Sequence, residues 1–262
     1  MDVLYGLHPV EEAVRSGSRG LHHVMVARER RDDRLERLLE LCRGAGIRVS
    51  VEPREQLTRL AKTDAHQGVV AMVWERKLLA IEDLLEGSDG GGFRFLLAVD
   101  GVEDPHNLGA ILRTCDAAGV DGVILPERRA APLNATVAKT SAGASEHVRI
   151  AQVTNVVRSL EQAKARNFWV VGLDERGTVD YMDFDFRANV VLVLGREGAG
   201  MHELVKKTCD HLLRIPMAGS VSSLNVSVAG AVVMYEAMRQ RRRPVVSERV
   251  ERPTKKLKGL GS

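Results

Sequence analysis

Residues 189–239 read NVVLVLGREGAGMHELVKKTCDHLLRIPMAGSVSSLNVSVAGAVVMYEAMR, with two short apolar runs that each end in a Gly- or Ser-rich loop ahead of a helical pattern. The first run, Val190 to Leu194, is β-branched and stops at Gly195, which is typical of a strand buried on both faces of a parallel sheet. The second runs from Leu212 to Met217, and its loop precedes a helix from Val226 to about Arg239. Ligands of open α/β sheets bind outside the carboxyl ends of the strands. The segment therefore predicts a cofactor site at one edge of a parallel sheet.

Upstream of this segment, apolar runs and helical patterns alternate in the same way. Asp104 stands directly before Pro105, a pair favoured at the start of a helix, and this helix should run to Ala118 before Gly119 ends it. Repeated strand–helix units predict a parallel sheet with helices on both faces. The other predicted strands are 93–99, 123–125, 148–153 and 168–173, and the other predicted helices are 137–144, 154–166 and 201–209.

The N-terminal residues contain a second, shorter set of such patterns. Residues 75–92 then lose strand character and end in Gly-Ser-Asp-Gly-Gly-Gly, which is the composition of a flexible linker. We predict a small α/β domain over 1–74, a linker over 75–92, a second domain over 93–240 and a basic tail over 241–262. In the small domain the predicted strands are 21–27, 47–51 and 68–73, and the predicted helices are 8–14, 35–42 with Asp32 or Asp33 as its cap, and a short one after Pro53.

The composition is that of a globular protein. Hydrophobic residues make up 44% of the 262 residues, and no apolar run approaches the roughly 20 residues that span a bilayer. The N-terminus lacks the apolar core of a signal peptide, and three widely spaced cysteines suit a reducing compartment, so we expect a cytoplasmic protein. His22, His23 and His66 lack metal-ligand spacing and are predicted to be plain surface or core-edge histidines. No metal is expected.

Positive charge is concentrated at the C-terminus. The chain carries a net +3, but residues 239–262 contain nine Lys or Arg and two Glu, a net +7 that leaves −4 for the rest. Blocks of like charge usually stay disordered. The tail is therefore either a disordered terminus that increases solubility or a segment that binds phosphates non-specifically. Because the body of the chain is net negative, its contacts with any nucleic acid have to be local.

The residues alone argue against several chemistries. The turn from Gly195 to Gly200 lacks the spacing of a dinucleotide-binding loop and carries charged residues between its glycines. No Gly-Lys-Ser/Thr phosphate loop occurs, which argues against nucleotide hydrolysis. Ser222, Ser223 and Ser227 have no convincing His/Asp partners for acyl transfer. What remains is an α/β enzyme with a small-molecule site near residues 195 and 225.

Three blocks of the C-terminal half resemble the SpoU branch (SpoU/TrmH) of the SPOUT RNA methyltransferases. They are DPHNLGA at 104–110 with Arg113 and Thr114, LGREGAG at 194–200, and IPM at 215–217 followed by SSLNVSVA at 222–229. YGLHPV at 5–10 and HQGVVA at 66–71 resemble the family's substrate-binding domain, which is akin to ribosomal protein L30. The resemblance covers about residues 3–240. It is greatest to the branch that methylates the ribose 2′-oxygen of a guanosine in the peptidyl-transferase loop of 23S rRNA.

The resemblance implies a fold and a methyl donor. The fold is a C-terminal SPOUT domain, a parallel sheet flanked by helices with a deep trefoil knot, preceded by the small L30-like domain. The methyl donor is S-adenosylmethionine, which the loops after two strands and the loop before the last helix would wrap in a bent conformation. The backbones expected to hold its adenine and ribose are those of Leu194, Gly195, Ile215, Met217 and Leu224.

The resemblance also implies five catalytic positions, Asn107, Arg113, Glu197, Ser223 and Asn225. Transfer of a methyl group to a ribose hydroxyl needs alignment, loss of the hydroxyl proton and stabilisation of the developing alkoxide. Arg113, which is effectively always charged, is expected to hold the phosphate and stabilise the 2′-oxyanion. Asn107 and Asn225 should orient Arg113, Glu197 or the ribose through amide hydrogen bonds, with Glu197 fixing that network. Two alternatives stay open: Glu197 and Arg113 form a structural salt bridge, or Ser223 caps the last helix instead of positioning the hydroxyl.

For partners, the resemblance implies large-subunit rRNA and a homodimer whose knotted domains pack together with the site at their interface. No membrane is expected. A tRNA ribose methyltransferase is the alternative within the same class. A non-catalytic RNA-binding or ribosome-assembly protein that keeps the fold is the alternative from another class, and the presence of all five motif residues argues against it.

Overall fold

The computed structural model describes residues 1–86 and 92–242, and the N-terminal residues build the smaller of its two sheets. The strand order is β1-β4-β2-β3, in which β4 is antiparallel to both neighbours and β2 is parallel to β3. Asp32 caps the second helix by accepting hydrogen bonds from the amides of Arg34 and Leu35. Strands β1 to β4 are Asp2–Tyr5, Leu21–Ala27, Val49–Glu52 and Val69–Val73, and helices α1 to α3 are Leu7–Ser16, Asp33–Gly44 and Arg54–Ala61.

The larger sheet has seven strands, and all its pairings are parallel, which confirms the predicted fold class. Strands β5 to β11 are Phe95–Val99, Gly122–Pro126, Ile150–Val153, Trp169–Leu173, Val179–Asp180, Val190–Leu194 and His211–Arg214. Their order is β7-β6-β5-β10-β8-β11-β9. Helices α4 to α9 are Ile81–Glu86, Pro105–Ala118, Ala135–Thr140, Val156–Lys164, Glu203–Thr208 and Val226–Arg241.

Strand β10 lies at the centre of this sheet, and all five of its residues are buried. Alternate side chains enter two different cores. Val190, Leu192 and Leu194 pack in the cluster that holds the apolar faces of α5 and α9. Val191 and Val193 pack in the cluster on the opposite face, with α4, α7 and α8. Burial on both faces explains why this strand is an unbroken apolar run rather than an alternating one.

Helix α5 has the predicted bounds. The Asp104 carboxylate accepts a hydrogen bond from the His106 amide, Pro105 occupies the first turn, and Gly119 ends the helix with φ 70°. Since both caps are local, they place Asn107 in the first turn, which follows the carboxyl end of β5, and Arg113 in the second half of the helix.

Some boundaries and elements differ from the predictions. The strand predicted over 212–217 ends at Arg214, because Pro216 has no N–H for a sheet ladder. The helix predicted over 137–144 spans Ala135–Thr140 and is followed by positive φ values at Ala142 and Gly143 and a 3-10 turn. Helix α8 begins at Glu203, two residues later than predicted. Strands β1 and β9 were not predicted.

The segment predicted as a linker, 75–92, is partly packed. Helix α4 lies within it, and its Leu84 and Leu85 are buried in the core of the larger unit. The Leu79 amide donates to the Ile150 carbonyl at 2.9 Å. The description as a flexible linker is therefore wrong for residues 79–86, while residues 87–91 lie outside the described residues.

Two further predictions stay predictions. The predicted basic tail lies outside the described residues from 243 onward, and the trefoil knot is expected from the resemblance alone. Within residues 1–86 and 92–242, no helix is both long and apolar enough to cross a bilayer.

The two units meet at a buried polar junction. Glu146, whose side chain is fully buried, accepts two hydrogen bonds from the Arg19 guanidinium, at 2.7 and 2.8 Å. Arg76 Nη2 lies 3.2 Å from the same carboxylate, and Arg19 also reaches Asp2 at 3.3 Å. Lys139 of α6 donates to the Ala65 carbonyl at 2.7 Å. Ion pairs and a hydrogen bond between the two units thus hold the N-terminal unit against the larger one.

Candidate active site

A cavity of about 300 Å³ opens at the carboxyl ends of β8, β10 and β11. Its walls come from the ends of these strands, from the loop 195–200 and from the loop before α9. This is the sheet edge at which the sequence predicts a ligand site. All five residues predicted to hold the cofactor line it: Leu194, Gly195, Ile215, Met217 and Leu224.

The loop 195–200 folds back on itself to form one wall. Arg196 and Gly200 exchange two backbone hydrogen bonds of 3.0 Å, and Gly198 and Gly200 have φ values of 74° and 68°. At Gly195, an added Cβ would overlap the backbone of Gly200 and Met201. The glycines are therefore needed for the close return of the chain and the left-handed turns.

The cavity offers backbone donors between apolar surfaces. Within the described residues, the amides of Ile215, Met217 and Leu224 donate no hydrogen bond. Leu194 and Leu224 line the same space. A flat ring with hydrogen-bonding edges fits a slot of this kind, because apolar walls cover its faces and a few fixed polar groups orient its rim.

Charged side chains line the opposite part of the cavity. Burial would raise the pKa of Asp174, but hydrogen bonds from Lys206 Nζ at 2.7 Å and from the Arg176 amide at 2.9 Å outweigh it and hold that pKa below its usual value. Neither Asp174 nor Lys206 was predicted as a site residue. The position of Asp174, directly after β8 at the same edge as Gly195, is a signal that could have identified it.

Three predicted catalytic side chains meet at this edge of the sheet. Asn107 Nδ2 donates to Glu197 Oε2 at 3.0 Å, and Asn225 Nδ2 donates to the same oxygen at 3.1 Å and to Asn107 Oδ1 at 3.0 Å. These residues come from α5, from the loop after β10 and from the start of α9. Only Glu197 of the three lines the cavity, so the cluster lies beside it. We call these three residues the amide–carboxylate cluster.

Asn225 also caps α9, which is the alternative role predicted for Ser223. Its Oδ1 accepts hydrogen bonds from the Ser227 amide at 2.9 Å and from the Ser227 hydroxyl at 2.6 Å. With Oδ1 fixed by the helix, Nδ2 is aimed at Asn107 and Glu197. The capping alternative for Ser223 is wrong, and Ser223 is an exposed residue in the cavity wall.

Arg113 lies apart from the other predicted residues. It is exposed on α5, and it lines neither the cavity nor the amide–carboxylate cluster. Six helical positions separate it from Asn107, which is about 9 Å of rise with the side chains on different faces. Among the described residues, no Lys or Arg pairs with Glu197, so a single chain does not contain the considered Glu197–Arg113 salt bridge.

A cavity at the carboxyl edge of a parallel sheet is typical of α/β enzymes, and comparison with protein families identifies the family. The model of the SpoU rRNA methylase family matches residues 94–235, and the model for RNA 2′-O ribose methyltransferase substrate binding matches residues 3–78. The chain belongs to the SpoU rRNA methylase family.

Curated relatives agree with that family. The chain is 46% identical over 240 residues to the 23S rRNA (guanosine-2′-O-)-methyltransferase RlmB of Bordetella pertussis, covering 91% of this chain and 97% of the relative. It is also 46% identical over 243 residues to the RlmB of Pseudomonas aeruginosa, covering 91% and 96%.

A solved structure shares the architecture. The SpoU methyltransferase AviRb of Streptomyces viridochromogenes, in complex with its cofactor AdoMet, superposes with a TM-score of 0.75 at 29% identity. The alignment covers 91% of this chain and 90% of that one, so both units of the fold are shared.

Proposed function

We propose that this protein transfers a methyl group from S-adenosylmethionine to the ribose 2′-hydroxyl of a guanosine in 23S rRNA. The observation that carries the proposal is the glycine-walled cavity with the amide–carboxylate cluster beside it. The family membership and the RlmB relatives support the reaction and the substrate class. The expectation of the peptidyl-transferase loop as the target region rests on the sequence resemblance.

The cavity fits S-adenosylmethionine, which supplies an electrophilic methyl group on a sulfonium when it is bound. The amides of Ile215, Met217 and Leu224, which donate no hydrogen bond within the described part of the chain, are placed to bind polar edges of the adenine and ribose. Gly195 keeps the wall open to a ligand because any side chain there would displace the loop. Lys206 and Asp174 present one cation and one anion to a zwitterionic amino-acid group.

The amide–carboxylate cluster positions the acceptor. Its carboxylate has only neutral amide partners among the described residues, and Glu197 Oε2 already accepts two hydrogen bonds. This leaves Oε1 as the oxygen available to a ribose hydroxyl. We assign Glu197 to fixing the network and orienting the 2′-hydroxyl, with Ser223 across the cavity as a second hydroxyl contact.

Arg113 supplies charge rather than a base. A guanidinium stays protonated in ordinary surroundings, and on the exposed face of α5 it is free to bind a phosphate and stabilise the developing 2′-oxyanion. Since Arg113 does not reach the cavity of its own chain, a second copy has to bring it there.

We therefore propose a homodimer in which the partner subunit's Arg113 completes each site. Helix α9, which packs against α5, leaves an apolar face uncovered, with Val228 49% and Tyr235 47% exposed. A second copy placed on this face would cover it and bring another α5 close to the cavity. The N-terminal unit would present the rRNA, and the reaction would take place in the cytoplasm, where ribosomal RNA is processed.

A subunit-mixing experiment tests the shared site. Arg113→Ala and Glu197→Ala chains with different tags are co-expressed, and the heterodimer is isolated. If sites are shared, one of its two sites is fully wild type, so the isolated heterodimer should have roughly half of wild-type activity. If each chain uses its own Arg113, every site carries one defect and the heterodimer stays inactive.

Transfer of labelled methyl groups tests the reaction and the substrate. The wild-type protein is incubated with labelled S-adenosylmethionine and either purified 23S rRNA or bulk tRNA. We expect label at one guanosine of the rRNA. Label in tRNA alone would overturn the substrate, and no label in either, with the cofactor bound, would favour a binding or assembly role.

A further inference from the structure

A second cavity of about 220 Å³ lies at the same sheet edge as the cofactor cavity, on the side of β5, β6 and β7. Its walls include Asp100, Pro126 and Thr154, which end or follow those three strands. The catalytic residues discussed above do not line it. Its position at the carboxyl edge makes it a candidate for a ligand group that reaches the active site from one side.

The two cavities adjoin through Arg196 and Gly101. Arg196 lines the cofactor cavity and Gly101 lines the second one. The aliphatic stem of Arg196 lies directly on Gly101, which has φ 83° and where an added Cβ would overlap that stem. The Nε atom of Arg196 is buried and has no hydrogen-bond partner among the described residues. Arg196 and Gly101 therefore form the boundary that the two cavities share.

The second cavity carries unneutralised positive charge. Arg128 and Arg129 line it, both are exposed, and neither pairs with a carboxylate among the described residues. The only carboxylate in its wall, Asp100, is 6% exposed and already engaged. Its two oxygens accept hydrogen bonds from the His202 amide at 2.6 Å and from His202 Nδ1 at 2.8 Å.

This arrangement also fixes one of the arginines. With Nδ1 of His202 donating to Asp100, its Nε2 accepts from Arg129 Nη1, at 3.4 Å. Arg129 has φ 58°, a left-handed conformation that arginine rarely adopts. A strained backbone and a hydrogen-bonded guanidinium at a cavity wall are typical of a group held in place for a ligand. The adjacent N-terminus of α7, at Val156 and Val157, adds backbone amides to the wall.

We propose that this second cavity binds a phosphodiester group of the RNA strand next to the nucleotide whose ribose is methylated. The inference rests on the proposed function for the reaction at the neighbouring cavity. Paired guanidinium groups recognise phosphate oxygens with fixed geometry. Because residues 1–238 carry a net −4 charge, RNA needs a local cationic site of this kind close to the reaction centre.

RNA affinity at several salt concentrations tests the proposal. The full-length wild type is compared with the double variant Arg128→Gln/Arg129→Gln and with Arg128→Lys/Arg129→Lys, which keeps the charge. The control is Arg187→Gln, which removes one exposed charge before β10, at the opposite edge of the sheet. The probe is a 23S rRNA transcript. Binding of S-adenosylmethionine is measured in parallel by calorimetry.

We expect the Gln pair to bind the transcript about tenfold more weakly and to lower the slope of log K against log salt by about 0.7 to 0.9 for each lost phosphate contact. The Lys pair should keep the wild-type salt slope and bind RNA with an affinity between those of the wild type and the Gln pair. Arg187→Gln should match the wild type in RNA affinity and salt slope. The affinity for S-adenosylmethionine should not change in any variant. If the Gln pair has the affinity and slope of Arg187→Gln, the proposal is overturned. If the wild type binds RNA but transfers no methyl group, the proposed function fails while the affinity comparison still decides this site.

Discussion

Two glutamates of this molecule are each held by residues distant in sequence, with opposite consequences. Glu146 is fully buried at the junction of the two units, and its charge is matched by Arg19 and Arg76. Glu197 is exposed beside the cofactor cavity, and among the described residues its carboxylate meets only the amides of Asn107 and Asn225.

The difference separates a residue that holds the structure from one that serves the reaction. A buried carboxylate needs full charge compensation, so Glu146 has no hydrogen-bonding capacity left for a ligand. Glu197 needs no cation because water and amides solvate it, and one of its oxygens remains available. Changes at the junction should therefore alter the free energy of unfolding, and changes at the amide–carboxylate cluster should alter the rate of transfer.

Replacement of Arg113 should have the largest effect on activity. Arg113→Ala removes the charge assigned to the 2′-oxyanion, and kcat should fall by about 10³-fold. S-adenosylmethionine affinity, measured by calorimetry, should stay within a few-fold of the wild type because Arg113 does not line the cavity. Loss of cofactor binding would refute its assigned role.

Replacement of Glu146 should have the largest effect on stability. Glu146→Gln removes the fully buried carboxylate that pairs with the guanidinium groups of Arg19 and Arg76, so the free energy of unfolding should fall by about 3 kcal/mol in urea denaturation. The matched change Glu197→Gln should alter it by less than about 0.5 kcal/mol. Equal losses in the free energy of unfolding of the two variants would contradict the assignment of a structural role to Glu146 and a reaction role to Glu197.

Two substitutions of Glu197 should distinguish positioning from proton removal. Glu197→Gln keeps an oxygen that can accept from Asn107 and Asn225, so kcat should stay within about tenfold of the wild type. Glu197→Ala removes the acceptor and should lower kcat by about 10²-fold. If the Gln variant is as inactive as the Ala variant, the carboxylate charge itself is required, and Glu197 would be the proton acceptor.

The smallest expected effect concerns the ion pair inside the cofactor cavity. The pKa of Asp174 is lower in the folded state than in the unfolded state. Its pairing with Lys206 therefore stabilises the folded protein fully at pH values above the ordinary carboxyl pKa. This contribution is lost as the pH falls through the lowered folded-state pKa. Asp174→Asn should cost about 1 kcal/mol at neutral pH. The free energies of unfolding of the wild type and Asp174→Asn should converge as the pH is lowered through the acid range. A difference that stays constant with pH would contradict the stabilising role assigned to the Asp174–Lys206 pair.

Much of the fold could be predicted because the deciding signals are local. Strand β10 is apolar at every position and ends at Gly195, and α5 carries its own caps at Asp104 and Gly119, so both have the predicted bounds. The insertion of β10 between β5 and β8 could not be predicted, since pairing depends on the whole sheet. The four-residue β1 and the two-residue β9 are too short to give a periodic signal.

The sequence predicted which residues belong to the site better than it predicted how they contact one another. The motif blocks identified Asn107, Glu197 and Asn225, but only the structure joins them through a single carboxylate oxygen. A choice of cap between Ser223 and Asn225 cannot be made from residue type, because both are good N-cap residues. Arg19 and Glu146 are 127 positions apart in the sequence, so no local pattern predicts their pairing.

The most direct test of the account is the position of the transferred methyl group. Ribosomal RNA methylated by the wild-type protein is digested to nucleosides and analysed by fragmentation in a mass spectrometer. We expect 2′-O-methylguanosine, with the added mass in the ribose fragment. Added mass in the base fragment would contradict it, because the amide–carboxylate cluster and Arg113 are assigned to a ribose hydroxyl.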